Sequence, residues 1–347
     1  MPTSPKLLTA LLRDVSRSFY LTLRVLPSAV REQIGLAYLL ARAADTIADT
    51  ELVPLKKRLQ ALRTLRLHIR EKPDILLTLD ELAIQQSDDA EEALLSRISE
   101  ALAVLAEQDI SDQHLIIEVL MAIISGQELD LQRFAAASEK RIVALRNDAE
   151  LEDYTYRVAG CVGEFWAKIC RTHLFPKVSM DEAPLLAKAV RFGKGLQLVN
   201  ILRDLPRDLR QGRCYLPADK LAEYGLAPAD LLDPANESRL RPLYDRYLAQ
   251  AQAHLVAGWE YTNALPSNQA RLRNACAWPI LIGVKTLEKL RAGNPLDPSV
   301  RLKATRGEVR WLVAKSVLLT PFAEDWQKLG PQPTEVAEVP NEEKKIG

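Results

Sequence analysis

Two pairs of aspartates in this chain share one spacing. Asp45 and Asp49 stand in AADTIADT, and Asp204 and Asp208 stand in NILRDLPRD. A four-residue step on a helix places two side chains on one face, with their Cβ atoms about 5–6 Å apart. Carboxylates this close repel each other unless a cation lies between them, and Mg²⁺ favours oxygen ligands that it shares with water and substrate phosphates. The two pairs therefore predict a Mg²⁺ site that binds a diphosphate and promotes its ionisation.

The apolar surroundings of the two pairs distinguish them from ordinary surface carboxylates. Asp45 follows IGLAYLLARAA and Asp204 follows GLQLVNIL, and neither run suits a solvated helix. A buried carboxylate needs a partner, because desolvating an unpaired charge costs several kcal/mol. Acidic residues four apart are also common on solvated helix faces, but two such pairs within apolar helices make that interpretation the weaker one.

Side chains that suit a diphosphate lie beside both pairs. Arginine binds phosphate oxygens bidentately and stays charged under all relevant conditions. The candidates are Arg17 and Arg42 near the first pair, and Gln197, Asn200 and Arg203 near the second. An alternative remains open: Arg42 and Arg203 pair with the neighbouring aspartates and close a structural network.

Pro206 lies between the two aspartates of the second pair. A proline inside a helix removes one backbone hydrogen bond and clashes with the preceding turn, at a cost of ~3 kcal/mol or more. We therefore expect the helix to kink here or to end near residue 205. Either outcome would move Asp208 away from the helix face that carries Asp204.

A third segment, YTYRVAGCVGEFW (154–166), combines Tyr154 with the small residues Ala159, Gly160 and Gly163. A glycine inside a helix costs about 1 kcal/mol relative to alanine, so these positions need a structural reason. Close approach of another helix would supply one, and so would the passage of a bulky substrate chain.

Composition and periodicity favour helices throughout. Of the 347 residues, 48% are apolar and 14 are glycine, and Leu, Ala, Arg and Glu dominate. We predict an all-α fold, a single domain over residues 1–327 with helices around a central cavity, and a polar, disordered tail over residues 328–347. Residues 211–238 are rich in Gly and Pro and predict an extended excursion beyond a helix end. Periodic apolar segments cover 7–24, 29–49, 52–71, 90–108, 112–134, 139–172, 181–210, 240–264, 268–292 and 299–320.

Charge and cysteine content argue against several classes of function. The chain carries 46 basic and 46 acidic residues, which gives no reason to expect a nucleic-acid partner. The four cysteines have no zinc-like spacing. The longest apolar stretch, residues 115–124, is too short to span a bilayer, and no signal peptide is recognisable. We expect a cytoplasmic protein without an obligate protein partner, and peripheral contact with the inner face of a membrane stays open.

Four sequence elements, taken together and in this order, resemble the squalene/phytoene synthase family of head-to-head prenyl transferases. They are SRSF (16–19), ARAADTIAD (41–49), YTYRVAGCVG (154–163) and QLVNILRDLPRDLRQGRCYLP (197–217), within a likeness that covers about residues 14 to 320. The resemblance implies an all-α isoprenoid-synthase fold that acts on farnesyl diphosphate. It assigns Mg²⁺ to Asp45, Asp49, Asp204 and Asp208, with Asn200 as a further polar ligand and with Arg17, Arg42 and Arg203 on phosphate oxygens. Tyr154 then matches the tyrosine near the departing diphosphate, and Arg213 matches the end of the last motif.

A fifth segment bears on the branch of the family. VRLKATRGEVRW (300–311) resembles the basic flap of squalene synthases, with Lys303 and Arg306 at the matching positions. A Lys/Arg pair suits the 2′-phosphate and pyrophosphate of NADPH, and no Gly-x-Gly-x-x-Gly fingerprint indicates a Rossmann site. The resemblance thus favours squalene synthase, acting in sterol or hopanoid biosynthesis.

Several alternatives remain at this point. A dehydrosqualene or phytoene synthase would perform the same condensation without a reductant. A helical assembly factor would keep the fold without the activity. The 300–311 segment also suits a solvated basic turn ahead of a helix.

Overall fold

Helices form nearly all the regular structure of the chain in the computed structural model, which describes residues 5–16, 19–71 and 77–332. Within these ranges the α-helices are α1 (Pro5–Val15), α2 (Phe19–Val25), α3 (Ser28–Asp49), α4 (Leu55–Glu71), α5 (Asp80–Ala83), α6 (Asp89–Ser96), α7 (Ile98–Glu107), α8 (Ile110–Arg133), α9 (Asp148–Thr155), α10 (Cys161–Leu174), α11 (Glu182–Arg210), α12 (Ala218–Glu223), α13 (Glu237–Ala264), α14 (Ala270–Ala292), α15 (Arg306–Leu319) and α16 (Ala323–Gln327). The all-α prediction is confirmed.

The long helices pack side by side around the apolar core. Helix α11 contacts α10, α13 and α14, and α3 contacts α4 and α8. Gly163 allows α10 to approach α11 closely, since a Cβ atom there would lie 1.9 Å from the carbonyl oxygen of Ala189. Gly193 does the same from α11, where a Cβ atom would lie 2.1 Å from the carbonyl oxygen of Ala159. Close packing of α10 against α11 therefore explains why position 163 of the 154–166 segment is a glycine.

The periodic apolar segment 139–172 does not form one helix. Strand β1 (Val143–Ala144) pairs in parallel with strand β2 (Arg213–Cys214), and helix α9 begins only after Asn147, whose side chain accepts a hydrogen bond from the amide of Glu150. A π-helical turn, Tyr156–Gly160, then separates α9 from α10. The β-branched residues Ile142 and Val143 suit an extended backbone. The pairing fixes Arg213 just beyond the end of α11.

The break expected at Pro206 is wrong, because α11 continues through it to Arg210. Proline lacks the amide that would bond to the carbonyl four residues earlier, which here belongs to Leu202. The buried hydroxyl of Tyr244 on α13 donates to that carbonyl at 2.9 Å. A tertiary hydrogen bond thus replaces the lost helical one, and Asp208 stays on the same helix as Asp204.

Several helix ends differ from the periodic pattern. Helix α15 begins at Arg306 rather than near 299, because Thr305 and Glu308 form a capping box there. The 90–108 segment divides at Arg97 into α6 and α7. The 7–24 segment is divided between α1 and α2.

The expected excursion over 211–238 folds back into short elements. It contains β2, α12 and two 3₁₀ turns, Pro228–Leu232 and Pro234–Asn236. At the other end of the chain, Gln332 accepts a hydrogen bond from Gln252 on α13. The rest of the predicted tail, residues 333–347, lies outside the described residues. None of the helices described is both long and apolar enough to span a bilayer.

Candidate active site

A cavity of about 530 Å³ opens between the C-terminal end of α3, helices α9 and α11, and strand β2. Seven of the residues predicted from the sequence line it: Asp49, Tyr154, Gln197, Asn200, Asp204, Asp208 and Arg213. Most of the lining is polar, and Leu52 and Ile201 are the aliphatic residues among its described walls. Such a lining suits a charged head group.

One face of α11 supplies the larger share of these groups. Gln197, Asn200, Asp204 and Asp208 follow each other at three- and four-residue steps, which places them on one side of the helix. Burial and, to a smaller extent, repulsion by the nearby Asp204 carboxylate raise the pKa of Asp208 to about 7. Arg207 and Arg213 act in the opposite direction. The effect of burial on Asp208 therefore outweighs its attraction to the two arginines.

Helix α3 presents the other aspartate pair. Asp49 lies at the cavity wall, whereas Asp45 lies one turn earlier, where the amide of Gln127 on α8 donates to it. Burial raises the pKa of Asp45 to about 7, and the Asp49 carboxylate contributes to the rise. The pKa of Asp49 is raised by burial as well, while Arg213, Arg42 and Arg207 lower it.

Arg213 connects the two helices electrostatically. Its guanidinium lowers the pKa of both Asp49 on α3 and Asp208 on α11. It also lies 3.9 Å from a carboxylate oxygen of Asp130 on α8 and 3.6 Å from one of Glu51. The β1–β2 pairing holds this arginine in place, so the two aspartate helices share one cation at one cavity.

The other predicted arginines differ in their partners. Arg42 forms an ion pair with Glu91 on α6, rather than with an aspartate of its own helix. Arg203 donates hydrogen bonds to both carboxylate oxygens of Asp204, at 2.8 and 2.5 Å. This is the pairing with a neighbouring aspartate that the sequence left open as an alternative for Arg203. Arg17 lies outside the described residues.

Tyr154 belongs to an aromatic and carboxylate group beneath the cavity. Its ring stacks on that of Tyr215, with centroids 4.7 Å apart, and the hydroxyl of Tyr215 donates to Asp130 at 3.0 Å. Burial raises the pKa of Tyr154 well above its ordinary value, and the Asp130 carboxylate adds to the rise. The phenol of Tyr154 consequently stays protonated.

Asp130 is the main residue that the sequence analysis missed. It is buried, and burial raises its pKa to about 6 in spite of Arg213 and Tyr215. One signal was available, since Asp130 follows Ile123 by seven residues and Gly126 by four. Both of those residues lie on the buried face of α8. Gln127 and Arg207, which act on Asp45 and Asp208, were missed as well.

Lys303 and Arg306 lie outside the described cavity lining, and both are exposed. The pKa of Lys303 is lowered by partial burial and by the cations Arg301 and Arg203, while Asp204 raises it. The segment before α15 therefore lies within electrostatic reach of the second aspartate pair.

The donor set of this site fits Mg²⁺. All four candidate ligands are carboxylates, and the pKa values of about 7 at Asp45 and Asp208 reflect burial and repulsion that a divalent cation would relieve. In the part of the chain that the structure describes, no three acidic, His or Cys side chains converge on one point as a ready cage.

Known proteins share both the sequence pattern and the fold. Residues 12–308 match the squalene/phytoene synthase family. The chain is 30% identical over 302 residues to the presqualene diphosphate synthase of Zymomonas mobilis, covering 86% of this chain and 89% of that protein. A solved complex of TcSQS with a ligand superposes with a TM-score of 0.73 at 20% identity, over 93% of this chain and 94% of that one. A dehydrosqualene synthase bound to a ligand gives 0.63 at 22% identity, over 92% and 96%.

The helices around this cavity define an all-α protein with the isoprenoid-synthase fold, as the two solved structures show. The chain belongs to the squalene/phytoene synthase family, whose members transfer prenyl groups in isoprenoid biosynthesis. The resemblance drawn from the sequence motifs is confirmed.

Proposed function

We propose that this chain condenses two molecules of farnesyl diphosphate head to head, through presqualene diphosphate, and reduces the product to squalene with NADPH. One observation carries the proposal: Asp49 from one helix and Asp204 and Asp208 from another line a single polar cavity, and Arg213 interacts electrostatically with both Asp49 and Asp208. This is an arrangement for holding a diphosphate while its bond to carbon breaks.

The first half-reaction uses the cavity residues. Asp45, Asp49, Asp204 and Asp208 would hold Mg²⁺, which supplies Lewis-acid stabilisation of the departing diphosphate when it is bound. Arg213, Asn200 and Gln197 bind diphosphate oxygens from the cavity wall. Tyr154, which stays protonated, donates a hydrogen bond to the leaving group.

The bond changes balance without a further reactant in this half-reaction. The C1–O bond of one farnesyl diphosphate breaks, and the electron pair leaves with the diphosphate. The double bond of the second farnesyl diphosphate attacks the resulting allylic cation. Loss of a proton, which the released diphosphate accepts, closes a cyclopropane and gives presqualene diphosphate.

The second half-reaction needs a hydride. Loss of the remaining diphosphate starts a rearrangement of the ring, and NADPH, when bound, would supply the hydride that converts the resulting cation to squalene. Lys303 and Arg306 would bind the phosphates of NADPH, since neither forms an ion pair within the described part of the chain. Lys303 also lies within electrostatic reach of the cavity through Arg203 and Asp204.

A second candidate stops earlier. The relative from Zymomonas mobilis is a presqualene diphosphate synthase, and a chain with that activity would release the cyclopropane intermediate. Dehydrosqualene or phytoene synthesis is a third outcome, reached by proton loss rather than by reduction.

Product identification decides among these functions. The purified chain is incubated with farnesyl diphosphate and Mg²⁺, with and without NADPH, and the products are identified by mass spectrometry. We expect squalene only when NADPH is present. Presqualene diphosphate, or a dehydrogenated hydrocarbon, in both reactions would reject the reductive step. Absence of Mg²⁺-dependent pyrophosphate release would reject catalysis altogether and favour a non-catalytic helical protein.

The role of Lys303 has its own test. Lys303→Ala should raise the KM for NADPH about tenfold, the effect of losing one charge-assisted contact. It should leave the rate of pyrophosphate release from farnesyl diphosphate unchanged. Lys177→Ala is the matched control, because Lys177 is exposed and lies outside the cavity lining. If both variants have the same KM for NADPH, Lys303 does not bind the cofactor.

A further inference from the structure

Helix α15 leaves a large apolar surface uncovered. Trp311, Val317 and Leu318 are 59%, 51% and 71% exposed, and Phe322, just beyond the helix, is 59% exposed. Trp311 and Leu318 lie seven residues apart, with the exposed Ala314 between them, so they share one side of the helix. We call Trp311, Val317, Leu318 and Phe322 the α15 face. Large exposed apolar side chains grouped on one short segment are typical of an interaction surface.

The orientation of α15 is fixed by polar contacts on its opposite side. Ser316 is buried and accepts a hydrogen bond from the indole of Trp278 at 2.9 Å. Thr320 accepts one from the side chain of Asn274 at 2.8 Å. These contacts attach the helix to α14, and a rotation that buried the α15 face would break them. The apolar residues therefore stay directed outward.

Basic side chains border the α15 face. Residues 300–320 carry five Lys or Arg residues and one Glu, a net charge of +4 in a chain whose total charge is zero. The single acid, Glu308, forms an ion pair with Lys289 on α14. The ammonium of Lys315 lies 4.7 Å from the ring centroid of Trp311, and Arg310 is exposed beside it. The basic region ends beyond Phe322, where Glu324 and Asp325 begin α16.

We propose that the α15 face docks on an anionic lipid surface. Tryptophan favours the boundary between head groups and acyl chains, aliphatic side chains enter that boundary, and Lys and Arg attract anionic lipids. The α15 face combines all three properties on one rigid helix. This inference goes beyond the proposed reaction and does not depend on it.

A second copy of the chain is the weaker occupant. A two-fold dimer would set the same patch of both copies against each other. Arg310 and Lys315 would then meet their own counterparts, and like charges in contact across an interface are unfavourable. A surface of opposite charge avoids this repulsion.

The test is flotation of the full chain with lipid vesicles in a density gradient. Vesicles of phosphatidylcholine and phosphatidylglycerol are compared with vesicles of phosphatidylcholine alone. We expect the chain to float with the anionic vesicles and to bind them less at higher salt, since salt screens the basic border. The triple variant Trp311→Ser, Leu318→Ser, Phe322→Ser should bind the anionic vesicles at least about tenfold more weakly than the unmodified chain, because its apolar contacts are lost.

A matched control separates this effect from a general loss of surface apolar groups. Ile110→Ser, Leu67→Ser and Leu232→Ser replace three exposed aliphatic residues elsewhere, which are 74%, 43% and 45% exposed. This control should float like the unmodified chain, and circular dichroism should show equal helix content in both triple variants.

Three outcomes would overturn the proposal. The unmodified chain does not float with anionic vesicles, or the α15 variant floats as well as the control. In the third, sedimentation shows a dimer that the α15 variant alone loses, which would assign the face to a second copy. None of these measurements uses enzyme activity, so they are independent of the proposed reaction.

Discussion

The two aspartate pairs have equal spacing but different surroundings. On α3, Asp45 receives a hydrogen bond from the neutral amide of Gln127, and the nearby Arg42 is turned to Glu91. On α11, Asp204 is held by two bonds from the adjacent Arg203. Asp45 therefore depends more on an external cation than Asp204 does.

This difference shows what spacing does and does not determine. A four-residue step puts both carboxylates of a pair on one helix face, whatever the helix. Which carboxylate has a counter-charge depends on tertiary neighbours. In each pair one member, Asp45 or Asp208, has its pKa raised to about 7, mainly by burial.

Replacement of single aspartates should give the largest effect and tests whether the two pairs are functionally equal. We expect Asp45→Asn and Asp204→Asn each to lower turnover by roughly 10³-fold, because each removes a charged ligand from the site where charge develops. Pyrophosphate release from farnesyl diphosphate measures the loss, and circular dichroism should show unchanged helix content. Normal turnover in either variant would remove that pair from the reaction.

The same two variants should differ in stability and so sharpen the comparison. A carboxyl group with a raised folded pKa stabilises the fold below its unfolded pKa and loses that contribution as pH rises through the folded value. At pH 8 without metal, the ionised Asp45 carboxylate thus destabilises the fold, and Asp45→Asn should raise the Tm. Asp204→Asn leaves Arg203 unpaired and should lower it. Shifts of the same sign in thermal scans would contradict the difference between the two sites.

Asp130 should give an intermediate effect, because it supports both Arg213 and Tyr215 from below the cavity. We expect Asp130→Asn to lower turnover about tenfold, the loss of one charge-assisted contact. Its pKa is raised to about 6, so its ionisation costs stability as pH rises from about 4 to about 6. The Tm of Asp130→Asn relative to the unmodified chain should therefore rise across this window.

Tyr215→Phe is the companion variant for that measurement. It removes the hydrogen bond to Asp130 but keeps the carboxylate. The folded pKa of Asp130 then rises above its value of about 6 in the unmodified chain, so the relative Tm of Tyr215→Phe should fall as the pH rises beyond about 6. Parallel pH profiles for the two variants would show that Asp130 does not titrate as described.

The sequence predicted the helical fold and seven of the residues that line the cavity, because periodicity and spacing are local properties. Apart from the Arg203–Asp204 pairing, which it left open as an alternative, it did not predict the partners of those residues. Asp130 meets Tyr215 across 85 positions of sequence, and nothing near either residue indicates the contact. The prediction that the helix breaks at Pro206 is wrong for the same reason. The hydroxyl that replaces the lost helical hydrogen bond belongs to Tyr244 on another helix.

The compensation at Pro206 predicts a smaller effect, on stability. Tyr244→Phe would leave the Leu202 carbonyl buried without a donor, at a cost of about 1–3 kcal/mol in the free energy of unfolding. Chemical denaturation measures this change. In a Pro206→Ala background the helical amide is restored, so Tyr244→Phe should cost less there. An equal cost in both backgrounds would mean that Tyr244 stabilises α11 by packing alone.

The Arg203–Asp204 pair should give the smallest effect. Both side chains are about one-third exposed, at 31% and 34%, and water screens such a pair to roughly 0.2–1 kcal/mol. Arg203→Gln should therefore lower the free energy of unfolding by no more than that. Arg13→Gln is the matched control, because Arg13 and Asp14 are also adjacent and paired but are 62% and 46% exposed.

The control should change the free energy of unfolding less than Arg203→Gln does. If the two substitutions have equal effects, Arg203 contributes nothing beyond an ordinary surface pair. The hydrogen bonds to Asp204 would then not distinguish its electrostatic surroundings from those of Asp45. The difference between the two helices would then depend only on the hydrogen bond from Gln127 to Asp45 and on the ion pair of Arg42 with Glu91.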